Sequence, residues 1–93
     1  MIVRFTRRAE NDLVEILDYL ELLSPRGARK VAATLREAIG AVSDHARSGK
    51  RTGKPAILAK IVPRYPYKIF YRLGDDSIDI LHIRHAARRP WLV

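Results

Sequence analysis

Ninety-three residues, 47% hydrophobic and 30% charged, are expected to form one packed domain around a single modest core. The chain has no cysteine, which excludes disulfides, thiolate nucleophiles and thiolate metal sites, and its apolar runs are too short for a membrane span or a signal peptide. The net charge of +8 resides wholly in residues 47–93, where eleven Lys/Arg stand against Asp75, Asp76 and Asp79, and so points to a polyanionic partner rather than an evenly solvated surface.

In chain order, Ile2-Val3-Arg4-Phe5-Thr6 reads as a short strand. Thr6 can cap a helix that begins at Arg7. Ala9, Leu13, Ile16, Leu17, Leu20 and Leu23 recur at helical spacing, and Asp12, Glu15 and Asp18 are expected on the opposite, solvated side. Ser24-Pro25 supplies a hydroxyl cap followed by proline at the first helical position, so a second helix starts there. It should turn Ala28, Val31, Ala32, Leu35, Ile39 and Val42 inward and end before Ser48-Gly49. The short joint predicts an antiparallel helical hairpin.

Residues 48–55 (SGKRTGKP) read as a basic loop. Residues 57–62 and 67–72 read as strands, Gly74-Asp75-Asp76 as a turn, and residues 77–84 as the last strand. Short turns make the last three strands an antiparallel meander. The expected architecture is an α+β domain of order β-α-α-β-β-β, with the helical hairpin packed on an antiparallel sheet. The other face of the sheet would then carry much of the positive charge, and the tail from His85 to Val93 could lie across it.

Three constellations invite chemistry. Gly49-Lys50-Arg51-Thr52-Gly53-Lys54-Pro55 has a superficial likeness to a phosphate-binding loop. It is one residue short, has proline where the magnesium-coordinating hydroxyl belongs, and precedes a strand rather than a helix. His82 and His85 stand three apart in a strand and so point to opposite faces, which argues against a shared metal. No cofactor is expected. Strict alternation would place Ile78, Ile80, His82 and Arg84 on one face, and Asp79, Leu81, Ile83 and His85 on the other.

Arg64, Arg84, Arg88 and Arg89 could gather with a histidine near one edge. Guanidinium groups hold phosphate and imidazole moves protons, a combination able to cleave RNA; the plainer reading is a basic rim with locally bonded histidines. Tyr65, Tyr67, Tyr71 and Trp91 could stack nucleobases, but tyrosines at alternate strand positions more often pack the core, with Trp91 sealing it.

Residues 64–85 (RYPYKIFYRLGDDSIDILHIRH) resemble the carboxy-terminal signature of the RelE/ParE toxin family: an arginine, a Y-(R/K)-hydrophobic-x-Y strand, an acidic turn and a strand ending in histidine. The opening FTRRAENDLVEILDYL is similar to the family's A-x-x-D-L-x-x-I, so the likeness spans nearly the whole chain. It implies a cytoplasmic toxin with a cognate antitoxin. RelE-like members cleave messenger RNA on the ribosome, which would make Arg64, His85 and Arg88 the catalytic candidates. Ala86 stands where many of those nucleases carry arginine, and no tyrosine follows Tyr71. These departures favour the ParE-like branch, which poisons DNA gyrase without a nuclease set. As basic and aromatic residues of the charged half, Arg64, Tyr65, Lys68, Arg72, Arg84, Arg88 and Trp91 are candidates for contact with the antitoxin or the target; no family motif for gyrase contact transfers to them residue by residue. A non-toxic nucleic-acid-binding module is the third reading.

Overall fold

The computed structural model describes residues 2–85. Strand β1 (Ile2–Phe5) leads into helices α1 (Arg7–Leu23) and α2 (Pro25–Asp44), then a 3-10 turn at Ala46–Ser48. Strands β2 (Lys50–Arg51), β3 (Ile57–Ile61), β4 (Tyr67–Leu73) and β5 (Ser77–His85) follow.

The helix boundaries follow from local chemistry. Thr6 stays extended and its hydroxyl accepts the Ala9 amide at 3.1 Å, satisfying one of the free donors of the first turn. A single residue divides the helices. Ser24 donates its own N–H to the Leu20 carbonyl at 2.8 Å, closing α1, while its Oγ accepts the Gly27 N–H at 3.1 Å, opening α2. Pro25 then occupies a position that needs no amide hydrogen.

The sheet order is β1-β5-β4-β3-β2. The antiparallel meander of β3, β4 and β5 is present as the turns predicted. Two features differ from the expected four-stranded antiparallel sheet. β1 lies parallel to β5, because the helical hairpin carries the chain across the sheet before the strands return, so the sheet is mixed. The basic loop also contributes β2, whose Lys50 and Arg51 pair with Ala59 and Leu58. It is a short, charged edge of the kind that discourages further strand addition.

The helices cover one face. Leu35, Val42, Val62, Ile69, Tyr71, Ile78, Ile80 and Ile83 are its largest fully buried side chains. Tyr67 and Tyr71 belong to this core and Tyr65 packs against it, so the strand tyrosines are structural.

Strict alternation fails in β5. Phe70 pairs with His82 but Tyr71 pairs with Ile80, leaving Leu81 as an extra residue. This bulge flips the parity beyond it. Ile78 and Ile80 face the helices before it, and Ile83 and His85 do so after it, in register with Ile69 and Tyr67. His82 and Arg84 move to the outer face, contrary to the grouping of Ile80 with His82 and Arg84. His82 and His85 still project to opposite sides.

Candidate partner-binding face of the sheet

Register assigns the outer face residue by residue. Lys68, Phe70 and Arg72 alternate with the core positions of β4, and their neighbours on β5 are Arg84, His82 and Asp79. Arg4 stands beside Asp79 from β1, and Lys50 beside Ala59 from β2. Among the described residues this face holds Arg4, Lys50, Lys68, Arg72 and Arg84 against the carboxylate of Asp79. Four of the nine described lysines and arginines of the second half thus share this face, with Arg4 added from the first; Arg47, Arg51, Lys54, Lys60 and Arg64 stand at other positions, so the excess is spread more widely than the sequence suggested.

Asp79 organises the exposed part of this face. Its Oδ1 lies 3.3 Å from Arg4 Nε and accepts the Ser77 hydroxyl at 3.1 Å; Arg4 Nη2 donates to that hydroxyl at 3.0 Å. Arg72 Nη2 stands 3.7 Å from Asp79 Oδ2. The two arginine side chains are 66% and 51% exposed. Pairs this open to water add little stability, so one carboxylate chiefly aligns two guanidinium groups across three strands while leaving them accessible.

The buried part is built differently. His82 is stacked on Phe70, with centroids 6.0 Å apart and planes 17° from parallel. Its Nδ1 lies 2.5 Å from Asp12 Oδ2, which also accepts the Ile83 N–H at 3.0 Å. Arg8 Nε approaches the same Nδ1 at 3.3 Å. One ring nitrogen cannot accept from Arg8 and donate to Asp12 together; the much shorter contact assigns Nδ1–H as donor to the carboxylate.

Asp12 is thus not on the solvated side of α1, where the helical pattern put it. It docks α1 onto β5 just past the end of β1, where the β5 backbone has lost its strand partner. The opening A-x-x-D-L motif, here Ala9, Asp12 and Leu13, held the signal for this role.

The sequence candidates divide spatially. Lys68 and Arg84 are direct cross-strand neighbours, and Arg72 lies further along the same face. Arg64 sits in the β3–β4 turn with φ 72° and lines a shallow cleft with Thr34, Glu37, Ala38 and Lys60, beside α2 and away from that face. His85 contacts Tyr67 edge-on at 5.6 Å on the helix side of the sheet, opposite Arg84. Arg88, Arg89 and Trp91 lie outside the described residues. Among those described, no three His, Asp or Glu side chains cluster at metal-binding distance, and no helix is long and apolar enough to cross a membrane. Arg84, Phe70 and His82 are buried and Lys68 half-buried, so the open cations of this face are Arg4, Lys50 and Arg72, which are suited to meeting an anionic surface.

Comparison with known proteins agrees with this geometry. Residues 3–90 match the family described as ParE toxin of the type II toxin–antitoxin system parDE. Toxin RelE2 of Caulobacter vibrioides is 36% identical over 86 residues, covering 92% of this chain and 96% of that protein. A solved chromosomal ParDE toxin–antitoxin system from P. aeruginosa superposes with a TM-score of 0.80 at 26% identity, covering 91% of this chain and 95% of that one. The RelBE2 toxin–antitoxin complex of Mycobacterium tuberculosis superposes with a TM-score of 0.61 at 29% identity, covering 94% and 92%.

Proposed function

Because this chain belongs to the ParE toxin family of type II toxin–antitoxin systems, we propose that it arrests growth by binding DNA gyrase and that a cognate antitoxin silences it. An acidic antitoxin segment would lie over the cationic sheet face, its encounter speeded by the opposed charges. The observation that carries the gyrase reading is the separation of the nuclease candidates. Arg64 is beside α2, His85 faces the helix side, and the one histidine among the outer-face cations is committed to Asp12 and Phe70. A general base needs an imidazole within reach of the scissile phosphate and free to take a proton. The described residues of this face assemble binding groups without that base. The greater structural likeness to the ParDE system, 0.80 against 0.61, supports the same reading.

Ribosome-dependent cleavage of messenger RNA is the second reading, favoured by the relative named RelE2. Inducing the protein in bacteria separates the two. Early loss of DNA synthesis with altered plasmid supercoiling and intact messages is the expected result. Prompt arrest of translation with messages cut within codons, relieved by Arg64→Ala, would overturn it.

A further inference from the structure

The loop through which α2 reaches the sheet carries a charge cluster of its own. Between Asp44 and Asp75 the chain holds eight Lys/Arg and no Asp or Glu, and four of the eight fall in residues 47–54. These four, Arg47, Lys50, Arg51 and Lys54, are all exposed. Lys50 pairs with Ala59 and projects on the outer face of the sheet. Arg51, the next residue, pairs with Leu58 and so projects on the opposite face. A two-residue edge strand therefore carries one cation on each side of its free edge, with Arg47 before it in the 3-10 turn and Lys54 after it.

The backbone beneath these side chains is held from both ends. The Tyr71 hydroxyl donates to the Ala46 carbonyl at 2.7 Å and fastens the base of the loop. The Thr52 hydroxyl donates to the Ile57 carbonyl at 2.9 Å and accepts the Lys54 N–H at 3.1 Å, folding the chain back onto β3. Arg51 and Lys54 then line one open cleft of about 370 Å³. A backbone fixed before contact loses little freedom on binding.

Composition says what would meet these cations. Residues 47–56 include no large apolar or aromatic side chain, so the loop lacks the anchors on which protein interfaces rely. No aromatic residue occurs between Tyr19 and Tyr65, which removes the stacking platform that single strands use. What remains is positive charge along a projecting edge, and that chemistry suits phosphodiester backbones. A duplex offers them at the highest density.

We infer that the β2–β3 hairpin is a binding site for duplex DNA. It grips one phosphodiester strand between Lys50 and Arg51, with Arg47 and Lys54 on the flanking phosphates. The inference deepens the gyrase reading and rests on it for its setting in the cell, because gyrase holds duplex DNA. The toxin would then touch the enzyme's DNA as well as the enzyme.

The test is binding of the purified full chain to a short fluorescent DNA duplex, followed by anisotropy as salt is varied. Four phosphate contacts predict a logarithmic salt slope of about −3.6, a loss of roughly a hundredfold in affinity between about 50 and 200 mM salt. Lys50→Ala, Arg51→Ala and Lys54→Ala combined should weaken binding at least about tenfold and bring the slope to about −0.9. A charge-matched variant, Arg26→Ala, Arg29→Ala and Lys30→Ala combined, removes as many exposed cations from α2. It should change affinity by less than about threefold, since charges beyond the Debye length from the contact are screened. All six positions are exposed, so both variants should keep the parent melting temperature. Equal losses in the two variants would mean that the duplex senses net charge alone, and would overturn the inference. So would tighter binding of an RNA duplex or of single-stranded DNA or RNA of the same length. Such failures leave the gyrase reading standing, because that reading is decided by DNA synthesis and supercoiling in induced cells; its own failure would leave binding to purified DNA unchanged.

Discussion

The Tyr71 hydroxyl occupies the space that a side chain at Gly49 would need. It donates to the Ala46 carbonyl at 2.7 Å, and a Cβ added at Gly49 would collide with the hydroxyl and ring edge. Gly49 has an ordinary extended backbone, so the requirement is steric rather than conformational. One phenol on β4 thereby ties down the turn through which α2 reaches the sheet.

Substitutions at this pair should therefore be coupled. Gly49→Ala is expected to lower stability by about 1–3 kcal/mol through overpacking, and Tyr71→Phe by about 1 kcal/mol through the lost hydrogen bond. The double variant should lose clearly less than the sum, because removing the hydroxyl relieves much of the collision. Urea denaturation of the four proteins checks this; strict additivity would refute the packing argument.

Alkali should act through the same phenol. Burial pushes the Tyr71 hydroxyl above its ordinary 10.0, partly offset by the Gly49 N–H that it accepts. Since the folded value is raised, the stabilisation is complete below 10.0 and disappears as pH climbs through the folded value. Stability should fall on the alkaline side of 10.0, and Tyr71→Phe should flatten that limb relative to its own neutral value. An unchanged alkaline slope in the variant would count against the assignment.

Asp12 should matter more than an acidic helix residue ordinarily does. Asp12→Ala strips partners from His82 Nδ1 and the Ile83 N–H together, and is expected to cost about 2–3 kcal/mol. Asp12→Asn retains an acceptor for the amide and should lose less. Glu15→Ala, exposed on the same helix, should change stability by no more than about 0.5 kcal/mol. Thermal melts of the three variants order these effects, and equal losses at Asp12 and Glu15 would remove the docking role.

Exposed Arg72 and half-buried Lys68 should serve recognition rather than folding. Arg72→Glu and Lys68→Glu are each expected to weaken antitoxin binding roughly tenfold, mainly by slowing association, with a shallower salt dependence and little change in melting temperature. Binding kinetics at two ionic strengths measure this. Retention of full affinity in both variants would move the antitoxin elsewhere.

What the sequence disclosed was local. Thr6 and Ser24-Pro25 announced both helix starts, because capping needs only residues adjacent in the chain. The aromatic β4 pattern and the Gly74-Asp75-Asp76 turn announced the meander for the same reason. The bulge at Leu81 was illegible: an added residue in a run of Ile, Leu and His alters no composition, yet it moves His82 and Arg84 to the other face. The inward turn of Asp12 was equally hidden, since its partner on β5 is 70 residues away. The two-residue β2 exists only by pairing with β3 and has no β-prone composition of its own. Arg64, expected beside Arg84, lines the cleft next to α2, a placement that depends on contacts with residues distant in the chain.

β5 is synthesised after every other strand, yet it is the element on which the rest converges. β1 pairs along one side of it and β4 along the other, while Thr6 and Asp12 fasten the start of α1 to its backbone. A nascent chain that has not yet delivered Ser77–His85 can make its helices and seat α2 on β4, but lacks the strand that pairs with β1 and the backbone that fastens α1. Folding should then be a late, concerted closure of distant contacts, slow for so short a chain. A fragment ending before Ser77 should retain helical circular dichroism and show no cooperative melt. The sheet that carries the partner-binding face is thus assembled only once Ser77–His85 have been made.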